Sequence, residues 1–420
     1  MENNSNLNKS SGSADMQFIR SAFPSLRDDY VFFDNAGGSQ TLGLVMDKIT
    51  DYYMNSNVQL GGVYSVSKQA RARVDEGNYH IAQTLNAEQT ESVIVGSSTT
   101  ALIRLFSIVI GQTLKEGDEI IITNCDHEAN VSPWKDLQKQ GIIIKTWTFN
   151  PSSYQLEIED LEPLMTERTK YVAFCHTSNI FGSIHPVKAI TEFVHSKGAK
   201  VFVDGVAYAP HRLIDVQDLD VDFYVYSLYK VFGPHLAVLY GKKQWLLDLP
   251  GINHNFIAPN DLPYKFQPGG QNYELSYSLS GISEYYQSVA VHHGLSETAS
   301  IREKMQYAFE VFDQQEERLS KRLLDFLQSK PSVTIIGERD YAKEKRVCTI
   351  AFVVKGMHSS DINAQIHPHN IGIKTGDFYA KGIVKALQLE NQGGVVRVSM
   401  AHYNSLDELE KLIKLLDKII

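Results

Sequence analysis

The segment Val201-Phe-Val-Asp204-Gly205, followed by Ser227-Leu-Tyr229-Lys230-Val-Phe-Gly233-Pro234, decides how this chain is interpreted. Its first half is an apolar run that predicts a buried strand ending on an acid. Its second half places a lysine 26 residues after Asp204 (230 − 204), in an aromatic setting that stops at Gly-Pro. A lysine removed from water has a lowered pKa and can then act as an amine nucleophile.

An aspartate near such a lysine can keep a pyridine nitrogen protonated, which a cofactor that works as an electron sink requires. Asp204 and Lys230 therefore point to an enzyme that uses pyridoxal 5′-phosphate (PLP). The competing interpretation is a solvated lysine and an unrelated strand-end aspartate, which is the commoner situation for a lone lysine. The residues around the pair favour the cofactor.

The composition argues against several classes of protein. The chain has 420 residues and a net charge of −9, without a run of Lys or Arg, which argues against nucleic acid as a partner. No apolar run is long enough to span a bilayer, and Met1–Asp15 lacks the hydrophobic stretch of a signal peptide. Three cysteines show neither a disulfide framework nor a metal-ligand spacing. We expect a cytoplasmic, metal-free protein without a membrane partner.

Short apolar runs alternate with helical stretches up to about residue 270, which predicts a mostly parallel sheet covered by helices on both faces. Ligands bind at the carboxyl ends of strands in such sheets. Long helices and two further strands follow, and Ser405-Leu-Asp-Glu408 is a capping box that opens a final helix with an apolar face from Leu406 to Ile420. We predict a disordered tail at 1–16, a large domain at 17–285 and a small α+β domain at 286–420, on which residues 17–30 could pack.

Four more groups of residues are candidates for a binding site. Ser97-Ser98-Thr99 precedes a helix and suits a phosphate, although plain N-capping explains it as well. His127 can stack on a pyridine ring or be an ordinary loop histidine, and Asn179 can contact the cofactor's phenolic oxygen or be a turn residue. Arg397, amid apolar neighbours, needs an anion, either a substrate carboxylate or an internal acid.

In the order and spacing of its motifs, the chain resembles the class V aminotransferase family of fold-type I PLP enzymes, and within it the cysteine desulfurase-like branch. The resemblance covers about residue 23 to the C-terminus. The motifs are Phe33-Asp-Asn35-Ala-Gly37, Asp126-His127-Glu-Ala-Asn130, Ser178-Asn179-Ile-Phe-Gly182, Val203-Asp204-Gly205, Ser227-Leu-Tyr-Lys230 and Arg397-Val-Ser-Met-Ala-His-Tyr403-Asn404.

This resemblance implies an α/β fold with a mostly parallel, seven-stranded sheet in the large domain, and a role for each motif. Lys230 would bind the cofactor covalently, Asp204 would pair with its ring nitrogen, His127 would stack on the ring and Asn179 would contact its phenolic oxygen. The phosphate would be held by Ser97, Ser98, Thr99 and Ser227, and by Gly270 of the second subunit in a homodimer whose active sites lie at the interface. The substrate's α-carboxylate would meet Arg397, Asn35 and the backbone near Gly37.

The chain also departs from the cysteine desulfurase pattern. The loop that normally carries the catalytic cysteine has Tyr379 in its place, with Lys374 where an arginine is common. Ala207, Tyr229 and Gly270 replace a glutamine, a histidine and a hydroxyl residue. We therefore expect PLP chemistry on a small amino acid, with Tyr379 and Lys374 facing the substrate. β-Elimination at a C–S bond is favoured, transamination or epimerisation is the alternative, and a non-catalytic scaffold is a third possibility.

Overall fold

The computed structural model describes residues 14–27 and 29–420. Its strands have the following bounds: β1 (Val31–Phe32), β2 (Val93–Gly96), β3 (Glu119–Thr123), β4 (Ile143–Trp147), β5 (Thr169–Cys175), β6 (Lys200–Asp204), β7 (Phe223–Ser227), β8 (Ala237–Gly241), β9 (Val333–Ile335), β10 (Thr349–Val354), β11 (Ile371–Gly372), β12 (Lys374–Gly376) and β13 (Val395–Ser399).

The α-helices connect and cover these strands. They are α1 (Met16–Ser21), α2 (Gly43–Asn55), α3 (Ser65–Leu85), α4 (Thr99–Gly111), α5 (Ser132–Lys135), α6 (Ile158–Leu161), α7 (Val187–Ser196), α8 (Lys243–Asp248), α9 (Tyr273–Ser278), α10 (Ser280–His292), α11 (Ile301–Gln328), α12 (Ser359–Ile366), α13 (Lys381–Ala386) and α14 (Leu406–Ile419). Within the described ranges, none of them has both the length and the apolar character that crossing a membrane requires.

A seven-stranded sheet forms the centre of the fold, in the order β2-β8-β7-β6-β5-β3-β4. All neighbouring pairs are parallel except those of β8, which runs against both β2 and β7. The predicted mostly parallel, seven-stranded sheet is confirmed. Because the strands are parallel, the carboxyl ends of β3, β5, β6 and β7 lie along one edge of the sheet.

Both faces of this sheet are buried, which explains its continuous apolar strands. On one face, Phe106 of α4 packs with Phe202 and Phe223. On the other face, Val201 belongs to a cluster that includes residues of α10 and α11, among them Ile282. Burying an aromatic or aliphatic side chain of this size contributes about 2 kcal/mol, so the two layers hold the strand ends in fixed positions.

A second, antiparallel sheet has the order β12-β13-β10-β9, and α11, α12 and α14 pack with it. The capping box that opens α14 is present, with Ser405 and Glu408 each accepting the other's backbone N–H. The predicted apolar face of α14 was wrong at Leu406, which is exposed because it lies in the first turn, beyond the sheet. Leu412 of the same helix is buried.

The N-terminal segment joins the two parts of the chain. Asp15 caps α1 by accepting the N–H groups of Gln17 and Phe18, so the predicted tail of 1–16 was too long at its end, and its residues 1–13 lie outside the described residues. Arg20 of α1 contacts Glu408 at 2.9 Å, and β1 pairs with β11. Helix α10 runs through residue 285, and the domain division at that residue stays a prediction.

Candidate active site

Lys230 lies at the end of a short 3₁₀ turn that follows β7, at the carboxyl edge of the sheet. Only 9% of its surface is exposed. Burial is the main cause that lowers the pKa of its ammonium group to about 8, and the positive charge of Arg397 adds to the effect. A substantial fraction of the side chain is therefore a neutral amine near neutral pH, as attack on an aldehyde requires.

Asp204 is the last residue of β6 and is buried. It accepts the backbone N–H of Val206 at 2.9 Å, and burial raises the pKa of its carboxyl to about 6. An ionised carboxylate in this place is costly without a cation. A protonated pyridine nitrogen beside Asp204 would supply that positive charge.

The N-terminus of α4 faces the same cavity. Ser98 caps this 13-residue helix by accepting the N–H of Ala101, while the hydroxyl groups of Thr99 and Ser227 lie 2.8 Å apart. Ser98, Thr99 and Ser227 line the cavity as predicted, and so does Thr100, the next residue of the same hydroxyl-rich run. Ser97 is exposed and is not among the lining residues, because it precedes the cap. Hydroxyls and free N–H groups at a helix start suit a phosphate.

His127 and Asn179 stand on the remaining walls. The Nδ1 atom of His127 accepts the N–H of Ala129 at 3.1 Å, which assigns the ring proton to Nε2. Burial, followed by the charges of Lys230 and Arg397, lowers the pKa of His127 to about 4, so the ring is neutral at pH 7. The Oδ1 atom of Asn179 is buried without a hydrogen-bond partner among the described residues.

The cavity has two sections that share four side chains. The inner section is lined by Ser98, Thr99, Thr100, Cys125, His127, Ala129, Cys175, Thr177, Asn179, Asp204, Val206, Ala207, Ser227, Tyr229 and Lys230. The outer section is lined by Ala36, Gly37, His127, Asn179, Tyr229, Lys230, Lys374, Thr375, Gly376, Asp377, Phe378, Tyr379 and Arg397. His127, Asn179, Tyr229 and Lys230 thus stand where the two sections meet.

Arg397 occupies the middle of β13 and is 2% exposed. Its Nη2 donates to Oδ1 of Asp34 at 2.7 Å, its Nη1 donates to the carbonyl of Asn179 at 3.1 Å, and its Nε is buried without a partner among the described residues. The ring of Phe378 lies 3.7 Å from the guanidinium carbon. Of the two predicted anions, the internal acid is present, and Nε remains available to a ligand.

Asn35 does not face the cavity. Its amide nitrogen donates to the carbonyls of Phe32 and Ser399 and to Asn404, and its Oδ1 accepts the hydroxyl of Tyr403 at 2.5 Å. The predicted contact of Asn35 with a substrate carboxylate was wrong in this respect, because the surrounding backbone and side chains already satisfy the amide. Its role is to fix the turn that carries Asp34.

Gly37 lies where it was predicted, in the outer section. A Cβ atom on this residue would stand 2.9 Å from Asp34 Oδ2 and 3.1 Å from its carbonyl oxygen, so any larger residue would displace Asp34. Gly270 has a φ of 89° and is absent from both sections. Its predicted contact with a second subunit stays a prediction.

The loop that follows β12 closes the outer section. Phe378 and Tyr379 have φ values of 51° and 59°, a left-handed conformation that costs about 1 kcal/mol or more for each residue. The carbonyl of Tyr379 accepts the N–H of Glu128, and its ring lies 5.4 Å from that of His127. Tyr379 is 67% exposed, and Lys374 is also exposed, so both can meet a substrate that enters from solvent.

Two cysteines line the inner section, as expected from their positions at strand ends. Cys125 follows β3 and Cys175 ends β5, and their sulfur atoms lie 4.0 Å apart. Burial opposes ionisation of Cys125, but the hydrogen bond to Cys175 and the nearby His185 lower the pKa of its thiol overall. The only sequence signal was that both residues stand at strand ends.

The side chains of the inner section fit PLP. A buried lysine with a lowered pKa suits the aldehyde, and a buried aspartate suits the ring nitrogen. The amide nitrogen of Asn179 donates to the carbonyl of Phe378 at 3.0 Å, so its unpartnered Oδ1 is left to accept a hydrogen bond from a ring hydroxyl. The hydroxyls of Ser98, Thr99 and Ser227 at the start of α4 suit the phosphate. Each chemical feature of the cofactor has a partner of the right kind.

Comparison with known proteins also points to a PLP enzyme. The class V aminotransferase family model matches residues 31–412. An aminotransferase-like protein of Gibberella zeae is 37% identical over 421 residues, which is 98% of this chain and 100% of that protein. A cysteine desulfurase-like protein of Aspergillus flavus is 34% identical over 417 residues, which is 97% of this chain and 91% of that protein.

A solved structure shows the fold independently. The cysteine desulfurase of Thermococcus onnurineus NA1 superimposes with a TM-score of 0.85 and 24% identity, covering 98% of this chain and 99% of the other. The predicted fold-type I architecture is confirmed, and so is PLP, the cofactor of this family. The chain belongs to the class V aminotransferases, PLP-dependent enzymes with cysteine desulfurase-like members.

Proposed function

We propose that this protein cleaves the C–S bond of cysteine or a cysteine derivative by β-elimination. The products are the thiol or persulfide, pyruvate and ammonia, with one water consumed. The observation that carries the proposal is the outer section, where Tyr379 of the 374–380 loop lies beside His127 and Lys230 and the loop offers a hydroxyl instead of a thiol. Elimination needs a base and an acid, and it needs no sulfur acceptor on the enzyme.

Lys230 is the base of the proposed reaction. PLP, when bound, supplies an electron sink that stabilises negative charge on the substrate's α-carbon. Lys230 takes the α-proton, because it stands at the junction of the two sections and its pKa of about 8 lets it act near neutral pH. Asp204 would hold the proton of the cofactor's ring nitrogen, and His127, neutral at pH 7, would cover the ring without adding charge.

The substrate's carboxylate is held in the outer section. Nε of Arg397 is the unpartnered donor there, and Phe378 stacks on the guanidinium and fixes its plane. Lys374 adds a second positive charge at the entrance. Tyr379, which is 67% exposed and whose ring lies 5.4 Å from that of His127, would give a proton to the departing sulfur.

Cys125 and Cys175 are poorly placed to receive that sulfur. Cys175 pairs in register with Asp204 across β5 and β6, so their side chains stand on the same face of the sheet. Both thiols therefore lie at the ring-nitrogen end of the inner section, whereas Arg397 and Tyr379 line only the outer section. The cofactor itself would separate the thiols from the substrate.

A homodimer is part of the same proposal. Met54, Val63 and Phe256 are 77%, 89% and 82% exposed, and apolar side chains of this size in contact with water favour a partner surface. Gly269 and Gly270, both with positive φ, lie in an open loop that could approach the inner section of a second copy. Light scattering of the purified protein at several concentrations tests this: a mass of one chain throughout would contradict it.

Transamination is the second candidate, and the 37% identity to an aminotransferase-like protein favours it. It uses the same α-proton removal but returns the proton to the cofactor. Retention of the leaving group on the substrate carbon would distinguish it from elimination.

The experiment is a product screen with the purified holoenzyme. L-Cysteine, L-cystine and their S-oxides are incubated with it, and pyruvate, sulfide or thiol, and α-deuterium exchange are measured in parallel. We expect pyruvate and thiol in equal amounts, and neither with the Lys230→Ala variant. A keto acid that retains its sulfur would select transamination, and deuterium exchange without pyruvate would select epimerisation.

A further inference from the structure

Three buried side chains converge behind the wall of the inner section. Cys125, Cys175 and His185 offer two sulfur atoms and a ring nitrogen that all lie within 4.8 Å of one another. All three residues are buried. The sheet brings them together, since β3 and β5 are neighbours and His185 follows a bridge between Thr177 and Ile184 that continues from β5.

We propose that Cys125, Cys175 and His185 form a Zn²⁺ site beneath the cofactor pocket. Zinc binds cysteine sulfur at about 2.3 Å in a tetrahedral arrangement, which places two sulfur ligands about 3.8 Å apart. The two sulfur atoms here are 4.0 Å apart. A disulfide would need them about 2 Å closer, so their spacing matches a shared metal ion far better than a covalent bond.

His185 is oriented as a metal ligand. Its Nδ1 lies 2.9 Å from Oε1 of Gln155 and 3.4 Å from the N–H of Leu156. The N–H of Leu156 would need Nδ1 as an acceptor, whereas Oε1 of Gln155 needs it as a donor. Because the contact with Gln155 is shorter, we place the ring proton on Nδ1, which leaves the lone pair on Nε2, an atom buried without a partner among the described residues. Histidines that bind metals usually donate their other N–H to an oxygen in this way.

Charge balance favours a divalent ion at this place. Two thiolates and one neutral imidazole carry a charge of −2, which Zn²⁺ cancels. A neutral complex can be buried at little electrostatic cost, whereas two unpaired thiolates cannot. Soft sulfur ligands also select zinc over magnesium or calcium, which prefer oxygen.

The cluster lies between the cofactor pocket, which Cys125 and Cys175 line, and the protein surface. His185 also lines a surface groove formed by residues 151–159, 184–186, 337–339, 344 and 345. The bound ion would tie the ends of β3 and β5 together next to Asp204, which pairs with Cys175. Three protein ligands leave the fourth tetrahedral position to a water molecule, and we assign the ion a role in holding the floor of the active site.

Zinc counting tests this inference and does not depend on which reaction the enzyme catalyses. The reduced holoenzyme is incubated with excess ZnCl₂, passed through gel filtration and analysed by mass spectrometry of the elements. We expect about one zinc per chain in the wild type and a loss of most of it in Cys125→Ser, Cys175→Ser and His185→Gln. Cys348→Ser is the matched control, because Cys348 is buried elsewhere, beside Ser320.

A second measurement covers variants that fail to fold. Wild-type protein loaded with Co²⁺ should absorb in the red, where PLP does not, and X-ray absorption of the zinc form should show two sulfur neighbours and one nitrogen. Gln155→Leu should weaken zinc binding about 10-fold, since it removes the oxygen that orients His185. Wild-type protein without zinc, unchanged zinc in both cysteine variants, or a Cys125–Cys175 disulfide in the purified protein would each overturn the proposal.

Discussion

Arg397 and Asp34 form a salt bridge of 2.7 Å between Nη2 and Oδ1, although 363 residues separate them in sequence. Arg397 is almost fully buried, whereas about a third of the Asp34 side chain remains exposed. The arginine is therefore already neutralised before any ligand arrives. A substrate carboxylate must bind at its remaining donors and against the charge of Asp34, which limits how tightly an amino acid can be held.

Asp34→Asn should lower KM for the amino acid substrate about 5-fold, the effect of about 1 kcal/mol, because the amide still accepts a hydrogen bond but no longer repels a carboxylate. Arg397→Ala should raise KM at least about 30-fold, since charged hydrogen bonds are lost. Steady-state kinetics of both variants with bound PLP measure these changes. An unchanged KM in Arg397→Ala would show that the residue only supports the fold.

The same two residues should move the pKa of Lys230 in opposite directions. The rate at which PLP rebinds to the apoenzyme should rise with pH to a midpoint near 8, because only the neutral amine attacks the aldehyde. Burial is the largest cause that lowers this pKa. The charge of Arg397 lowers it further, whereas the charge of Asp34 raises it. We expect a higher midpoint in Arg397→Gln and a lower one in Asp34→Asn, measured by stopped-flow absorbance. Equal midpoints in all three proteins would contradict the electrostatic account.

Lys230→Ala should remove the visible absorbance of bound cofactor and all turnover, even with PLP added. Lys265→Ala is the matched control, because Lys265 is also buried but donates to the carbonyls of Leu247 and Leu249, away from the site. This control should lose stability and keep the absorbance. A Lys230→Ala spectrum identical to wild type would disprove the assignment of the cofactor-binding lysine.

Asp204→Asn should slow α-proton loss severely while some PLP stays bound, because the ring nitrogen loses its proton. In the apoenzyme, by contrast, we expect the same substitution to be favourable, because it should increase the free energy of unfolding at neutral pH. Burial raises the pKa of Asp204 from 3.8 to about 6, so the folded state holds this proton more tightly than the unfolded state. The stability contributed by this group is therefore present at low pH and falls as the pH rises from about 4 to about 6.

The apo form of Asp204→Asn should thus be more stable than apo wild type at pH 7.5, by up to about 3 kcal/mol, and the difference should vanish near pH 4. Urea unfolding of both apoproteins at several pH values measures it. A difference that does not change with pH would mean that the carboxyl is not desolvated, and full activity of the variant would reduce Asp204 to a strand-end residue.

No cysteine should carry sulfur during turnover. Protein quenched in the steady state with L-cysteine, alkylated and digested should show no peptide of Cys125, Cys175 or Cys348 heavier by one sulfur atom. The reason is positional, since two of these thiols lie at the Asp204 end of the cavity and Cys348 packs against Ser320. A substrate-dependent persulfide on Cys125 or Cys175 would restore a desulfurase with a displaced cysteine.

The strands could be predicted because their signal is local. The apolar run Val201-Phe-Val-Asp204 predicted the strand that forms β6, Asp204, His127 and Asn179 follow from residue type near strand ends, and Lys230 follows from its aromatic setting. Strand order is not a local property. The contact between Cys125 and Cys175 depends on β3 lying beside β5, and no spacing in the sequence records that neighbourhood.

The hydrogen-bond partners of Asn35 and Arg397 could not be predicted from the sequence either. Asn35 had the residue type of a substrate ligand, but three acceptors and the hydroxyl of Tyr403 use its amide completely. The partner of Arg397 was also undecided, because Asp34 reaches it only through the pairing of β1 with β11 and the bridge from Asp34 to Ser399. Which polar groups bond to one another depends on the tertiary structure, because the partners are far apart in sequence.

The divided cavity bears on how such an enzyme can diversify. His127, Asn179, Tyr229 and Lys230 serve both sections, so a change in any of them alters cofactor retention and substrate choice together. Residues 374–379, from strand β12 and the loop that follows it, line the outer but not the inner section, and Phe378 and Tyr379 of the loop have left-handed backbone. A library confined to this loop, with the four shared positions held constant, would explore new amino acid specificities while the cofactor remains anchored.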